Sequence, residues 1–85
     1  MERKTVYQII DGERDYQEMR WNGHVHTPTE WLVFMEDYIN EAKHLISRND
    51  DTETFPTIMA IIRKVGAMAV ASMEQHGAPQ RTLKL

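Results

Sequence analysis

The sequence predicts an all-α domain, a three-helix up-down hairpin that self-association would complete into a bundle. Two observations predict it. Apolar residues recur every three to four positions in three runs, over 5–20, 28–47 and 55–76. Helix start and stop signals also stand at the ends of those runs: Thr27-Pro28 before the second, Gly77 and Pro79 after the third.

The first run takes its apolar side from Val6, Ile9, Ile10, Tyr16 and Met19. Gly12 interrupts it at a cost of about 1 kcal/mol against alanine, which allows a kink near Asp11-Gly12. Glu13, Arg14, Asp15, Gln17 and Glu18 read as a solvated face, and Trp21-Asn22-Gly23 closes the helix with Gly23 as the left-handed residue. His24-Val25-His26 is a short extended link. Its two imidazoles either share a metal or are solvated and capping groups.

The second run reads as the helix around which the chain is organised. Thr27 is an N-cap, Pro28 suits the first helical position, and Glu30 can reach back to the Thr27 N–H to complete a capping box. Trp31, Met35, Tyr38, Ala42 and Leu45 form its apolar stripe. Leu32, Ile39 and Ile46 widen that stripe enough to bury against two neighbours. Asp37, Glu41, His44 and Arg48 form a polar ribbon, and Arg48-Asn49-Asp50-Asp51 ends the helix.

Asp51 or Thr54 is the expected cap of the third run, with Pro56 in its first turn. Ile58, Ile61, Ile62, Val65, Met68, Ala69, Ser72 and Met73 give it a wide apolar face. The small residues from Gly66 to Ser72 permit close helix–helix approach, so burial on two sides is expected. Residues 78–85 read as a polar tail, and no repeat or second domain is visible.

Composition narrows the function. A chain of 85 residues is one domain, and at that size only about 60% of the unfolded surface is buried, which favours an oligomer. A net charge of −3 argues against a DNA or RNA binder. With no cysteine there is no disulfide frame, thiolate metal site or cysteine nucleophile, which suits a cytoplasmic setting. No run reaches about 18 uninterrupted apolar residues, so no membrane span is expected, and no secretory signal is visible at Met1-Glu2-Arg3-Lys4. The six methionines suit either irregular core filling or a binding groove.

Chemistry, if present, sits on the second helix. Glu36, Asp37 and Glu41 occupy adjacent turns and are candidate ligands for Mg²⁺; otherwise they are a solvated acidic face. Arg20, Trp21, Arg63 and Lys64 are candidate ligand-binding residues, the cations for a nucleotide phosphate and the indole for stacking. No glycine-rich phosphate loop or serine-nucleophile elbow is present, and no catalytic residue is assigned.

Glu13-Arg14-Asp15-Tyr16-Gln17, Arg20-Trp21, the stretch from Glu30 to Ala42, and Met73-Glu74-Gln75-His76-Gly77 together resemble small phage and prophage proteins, over about residues 5–80. More distantly, the second and third helices resemble the all-α MazG-like nucleoside triphosphate pyrophosphohydrolases. That likeness implies Mg²⁺ held by an acidic motif on each of two helices. Glu36-Asp37 match the first two acids, while Asn40 stands at the third and Glu41 one position beyond; Arg63, Lys64 and Ala67 stand where the second motif's acids belong. Two functions follow as expectations. One is a phage-type accessory protein in the host cytoplasm that binds a host protein or a small nucleotide through a helical oligomer, without catalysis or cofactor. The other is a Mg²⁺-dependent nucleoside triphosphate pyrophosphohydrolase.

Overall fold

The computed structural model describes residues 1–48 and 54–82. The described residues form three helices, α1 (Arg3–Trp21), α2 (Pro28–Arg48) and α3 (Phe55–His76), and no strand. The all-α expectation holds. The expected Asp51 cap lies outside the described residues. Thr54 occupies the N-cap position of α3, though its hydroxyl makes no capping bond there.

The start of α2 follows from its first four residues. The Glu30 N–H donates to the Thr27 hydroxyl at 3.1 Å, and the Thr27 N–H donates to the Glu30 carboxylate at 2.9 Å. This is the reciprocal capping box, and it satisfies two amides that the helix itself leaves without partners. The bonds from Thr27 hold the Glu30 carboxyl below its ordinary pKa of 4.5. A depressed carboxyl stabilises the fold above its unfolded pKa, and that contribution disappears as pH falls through the folded value. We therefore expect the melting temperature to drop as pH is lowered from neutral to below 4.5, and Glu30→Gln to reduce the size of that drop. Parallel thermal melts by circular dichroism would measure it.

α3, rather than α2, occupies the middle of the fold. Both α1 and α2 pack on it, and they touch each other little. The α2–α3 pair is antiparallel: Trp31, near the start of α2, meets Gln75 near the end of α3, and Tyr38 further along meets Lys64. Trp31, Met68 and Ala71 form the buried cluster, with Trp21, Phe34, Met35 and Tyr38 packed around it. α3 is also the one described helix long and apolar enough on average to cross a membrane, although Arg63-Lys64 interrupts its apolar run. Here it serves as the core helix.

The stripe of α2 is narrower than its sequence suggests. Trp31 and Ala42 are buried, and Met35, Tyr38 and Leu45 are half-buried, but Leu32, Ile39 and Ile46 face outward. α1 packs on α3 and touches α2 little, so among the described residues no second helix covers them.

α1 departs furthest from its apolar periodicity. Val6, Ile9, Tyr16 and Met19 are exposed, while Ile10, Glu13, Arg14, Gln17 and Trp21 turn toward α3. The Glu13 carboxylate accepts from Arg63 Nε at 2.6 Å. Arg14 donates to both oxygens of Glu74, each at 3.0 Å, and to Glu18 at 2.6 Å. Burial works against the Arg14 charge, and the bonds to Glu18 and Glu74 outweigh it, so its pKa is raised. Gln17, only 4% exposed, donates from Nε2 to the Lys64 carbonyl at 3.0 Å. Residues that read as a solvated face thus form the contact, because each polar group finds a counterpart on α3.

Helices α1 and α3 approach closely at Gly66, where an added Cβ would lie 2.8 Å from Ile10 Cδ1. Gly12, by contrast, has open space around it, and α1 is continuous through it. Gly12→Ala should therefore stabilise the protein by about 0.5–1 kcal/mol, since alanine removes the entropic cost of an interior helical glycine. A chemical-denaturation midpoint that moves upward with unchanged slope is the expected result.

Candidate functional site

The described cavity richest in chemistry opens where α1 ends and α2 begins. α1 stops at Trp21 because Asn22 and Gly23 both adopt positive φ, 50° and 67°. The Asn22 N–H returns to the Glu18 carbonyl at 3.0 Å, and the His24 N–H to the Trp21 carbonyl at 3.1 Å. This turn directs the chain across the end of the fold, back to the Thr27 cap.

One side chain ties that link down. Gln75, in the last turn of α3, accepts on Oε1 from Trp31 Nε1 at 2.9 Å and from the His26 N–H at 3.1 Å. Its Nε2 donates to the His24 carbonyl at 2.9 Å. An indole N–H and a backbone N–H can only donate, and a carbonyl can only accept, so the amide has one consistent orientation. Beside it, His76 Nε2 donates to the His26 carbonyl at 2.7 Å.

The fixed link places the His26 ring edge-on to Trp31, with centroids 5.1 Å apart, and edge-on to Phe34 at 4.9 Å. Trp21 lies tilted against Trp31 at 6.1 Å. These rings, with Tyr38 and Met68, make the walls and floor of a cavity of about 620 Å³. Its polar margin comes from Arg20 in the last turn of α1, Asn22 just after it, His24 on the link, and Asp37 and Glu41 one turn apart on α2. Apolar walls with a few polar groups converging on them are the usual make-up of a small-ligand site, and the volume lies within the usual range of about 300–1,000 Å³.

The structure thus brings together four of the residues expected to carry function: Arg20, Trp21, Asp37 and Glu41. It separates the others. Glu36 is exposed and does not line the cavity. Arg63 is engaged by Glu13 on the α1 side of α3. Lys64 stands with its ammonium 5.8 Å from the Tyr38 ring centroid, behind the cavity wall. Among the described residues, no three histidine or carboxylate side chains gather to hold a metal ion, His24 and His26 included. Asp37 and Glu41 alone fit a Mg²⁺ only where waters and phosphate oxygens complete its shell.

Sequence reasoning missed Gln75 and the ring role of His26. A glutamine in the last turn of a helix carries no local mark of a tertiary clasp. The two histidines did draw notice, as a shared metal site or as solvated and capping groups, but not as a link folded onto tryptophan.

No protein family matches the chain, and no curated protein or solved structure matches it.

Proposed function

We propose that this chain is a small non-catalytic binding protein that takes a nucleotide in the cavity between Trp21 and the start of α2. The observation carrying this reading is the convergence of an indole, a guanidinium and two carboxylates on one aromatic-walled cavity. The Trp21 face offers a stacking surface for a base. Arg20 supplies a charged donor for phosphate, while Asp37 and Glu41 accept from ring amines or hold a Mg²⁺ that arrives with the phosphates. The same reading suits a non-catalytic accessory role, which the small size and the incomplete acid set also favour.

Calorimetric titration with a panel of nucleoside mono-, di- and triphosphates, with and without Mg²⁺, tests it. Saturable binding is expected. Trp21→Ala should weaken it by about 1–3 kcal/mol, the range for a base stacked on an aromatic side chain. Arg20→Ala should reduce affinity chiefly for the more highly phosphorylated ligands. The absence of heat across the whole panel would retire the nucleotide reading.

The shared outlook of Asp37 and Glu41 favours a second reading, Mg²⁺-dependent pyrophosphohydrolysis of nucleoside triphosphates. Pyrophosphate release that is abolished by Asp37→Ala and by Glu41→Ala would establish it over simple binding.

A further inference from the structure

We propose that α2 pairs with the α2 of a second copy of this chain, antiparallel, about a two-fold axis passing beside Ile39. Three observations carry this.

The first is a ridge of apolar residues at heptad spacing. Leu32, Ile39 and Ile46 are 66%, 47% and 48% exposed. Their seven-residue repeat runs along one line of the helix, about a quarter-turn from the stripe that packs on α3.

The second is charge. Along one flank of the ridge lie Glu36 and Lys43, both exposed and without an ion-pair partner among the described residues. An antiparallel two-fold at Ile39 sets Leu32 against the second copy's Ile46. It also brings Glu36 within one residue of the point facing the second copy's Lys43, and the reverse pair follows by symmetry. A parallel pairing offers those charges no opposite. The other flank carries Trp31, Tyr38 and Leu45, which are already turned toward α3. The sequence therefore complements itself in one orientation.

The third is surface. The chain exposes 6967 Å², whereas a folded monomer of 10.0 kDa is expected to expose about 5,200 Å². Its radius of gyration is 14.4 Å, against about 12 Å for a compact domain of this length. That uncovered surface includes the Leu32, Ile39 and Ile46 ridge, and a standard interface takes about 800 Å² from each side.

The pairing does not depend on the ligand of the cavity. A monomer could still bind a nucleotide, and a dimer could bind none.

Light scattering across a dilution series should give a mass approaching twice 10.0 kDa at the concentrated end. Ile39→Asp should weaken self-association by more than about tenfold while helix content by circular dichroism stays unchanged, because the seam would then bury a carboxylate at its axis. Glu36→Lys and Lys43→Glu should each weaken it, and the double charge swap should restore it. The chain has no cysteine, so single engineered thiols report the register. Ile39→Cys should cross-link to itself under oxidation. Leu32→Cys alone should not, whereas Leu32→Cys mixed with Ile46→Cys should. A single-chain mass at every concentration would overturn the proposal. So would self-cross-linking of Leu32→Cys, which marks a parallel pair, or a dimer untouched by Ile39→Asp, which marks another face.

Discussion

Trp31→Ala is expected to remove a large share of the stability of this protein. Trp31 is 2% exposed and sits in the buried cluster that joins α2 to α3, against Met68 and Ala71. Truncating a buried tryptophan costs about 3–5 kcal/mol through lost transfer energy and the cavity left behind. A domain of this length has a total stability of only about 4–13 kcal/mol. The substitution also leaves Gln75 Oε1 without its indole donor and removes the ring on which Trp21 and His26 rest. The melting temperature should fall by more than about 15 °C, or the cooperative transition should vanish. Trp31→Phe keeps most of the packing and should lose far less. If both variants melted within a few degrees of the parent, the core would lie elsewhere.

Gln75→Met should have the next largest effect, for a different reason. Methionine preserves length and volume but cannot answer the Trp31 indole, the His26 N–H or the His24 carbonyl. The bonds from Trp31 and His26 are part-buried and the one to His24 is exposed, and a net loss of up to about 1 kcal/mol per bond gives about 2–3 kcal/mol in all. The loss should be local as well as global. Hydrogen exchange at the His26 amide should speed up more than exchange in the middle of α3, since the link is freed while the helix persists. Any ligand affinity of the cavity should fall with it, because His26 and His24 would no longer be held in its wall. Gln75→Glu offers a sharper control: a carboxylate can still accept from the two N–H groups but cannot donate to His24.

The legibility of the chain was uneven. The helix bounds of α2 and α3 were visible because caps are local: the Thr27–Glu30 box and the Gly77 stop act within a few residues, and their geometry follows from residue type. The small residues of α3 signalled close approach, and Gly66 against Ile10 is where it happens. The candidate site was half visible. Arg20, Trp21, Asp37 and Glu41 have the chemistry of a binding site in any context, but nothing local showed that Arg63 would be taken up by Glu13.

By itself the sequence determined three helices, their ends and the stripe of α2 that packs, since periodicity and capping are short-range properties of the chain. The tertiary structure alone decided that α1 buries Glu13, Arg14 and Gln17 in preference to Val6 and Met19. It also decided that Gln75 closes the end of the fold over Trp31. Each of these outcomes rests on a polar group meeting its counterpart more than forty positions away. Only the crossing of helices brings such partners together, and hydrophobic pattern carries no trace of it.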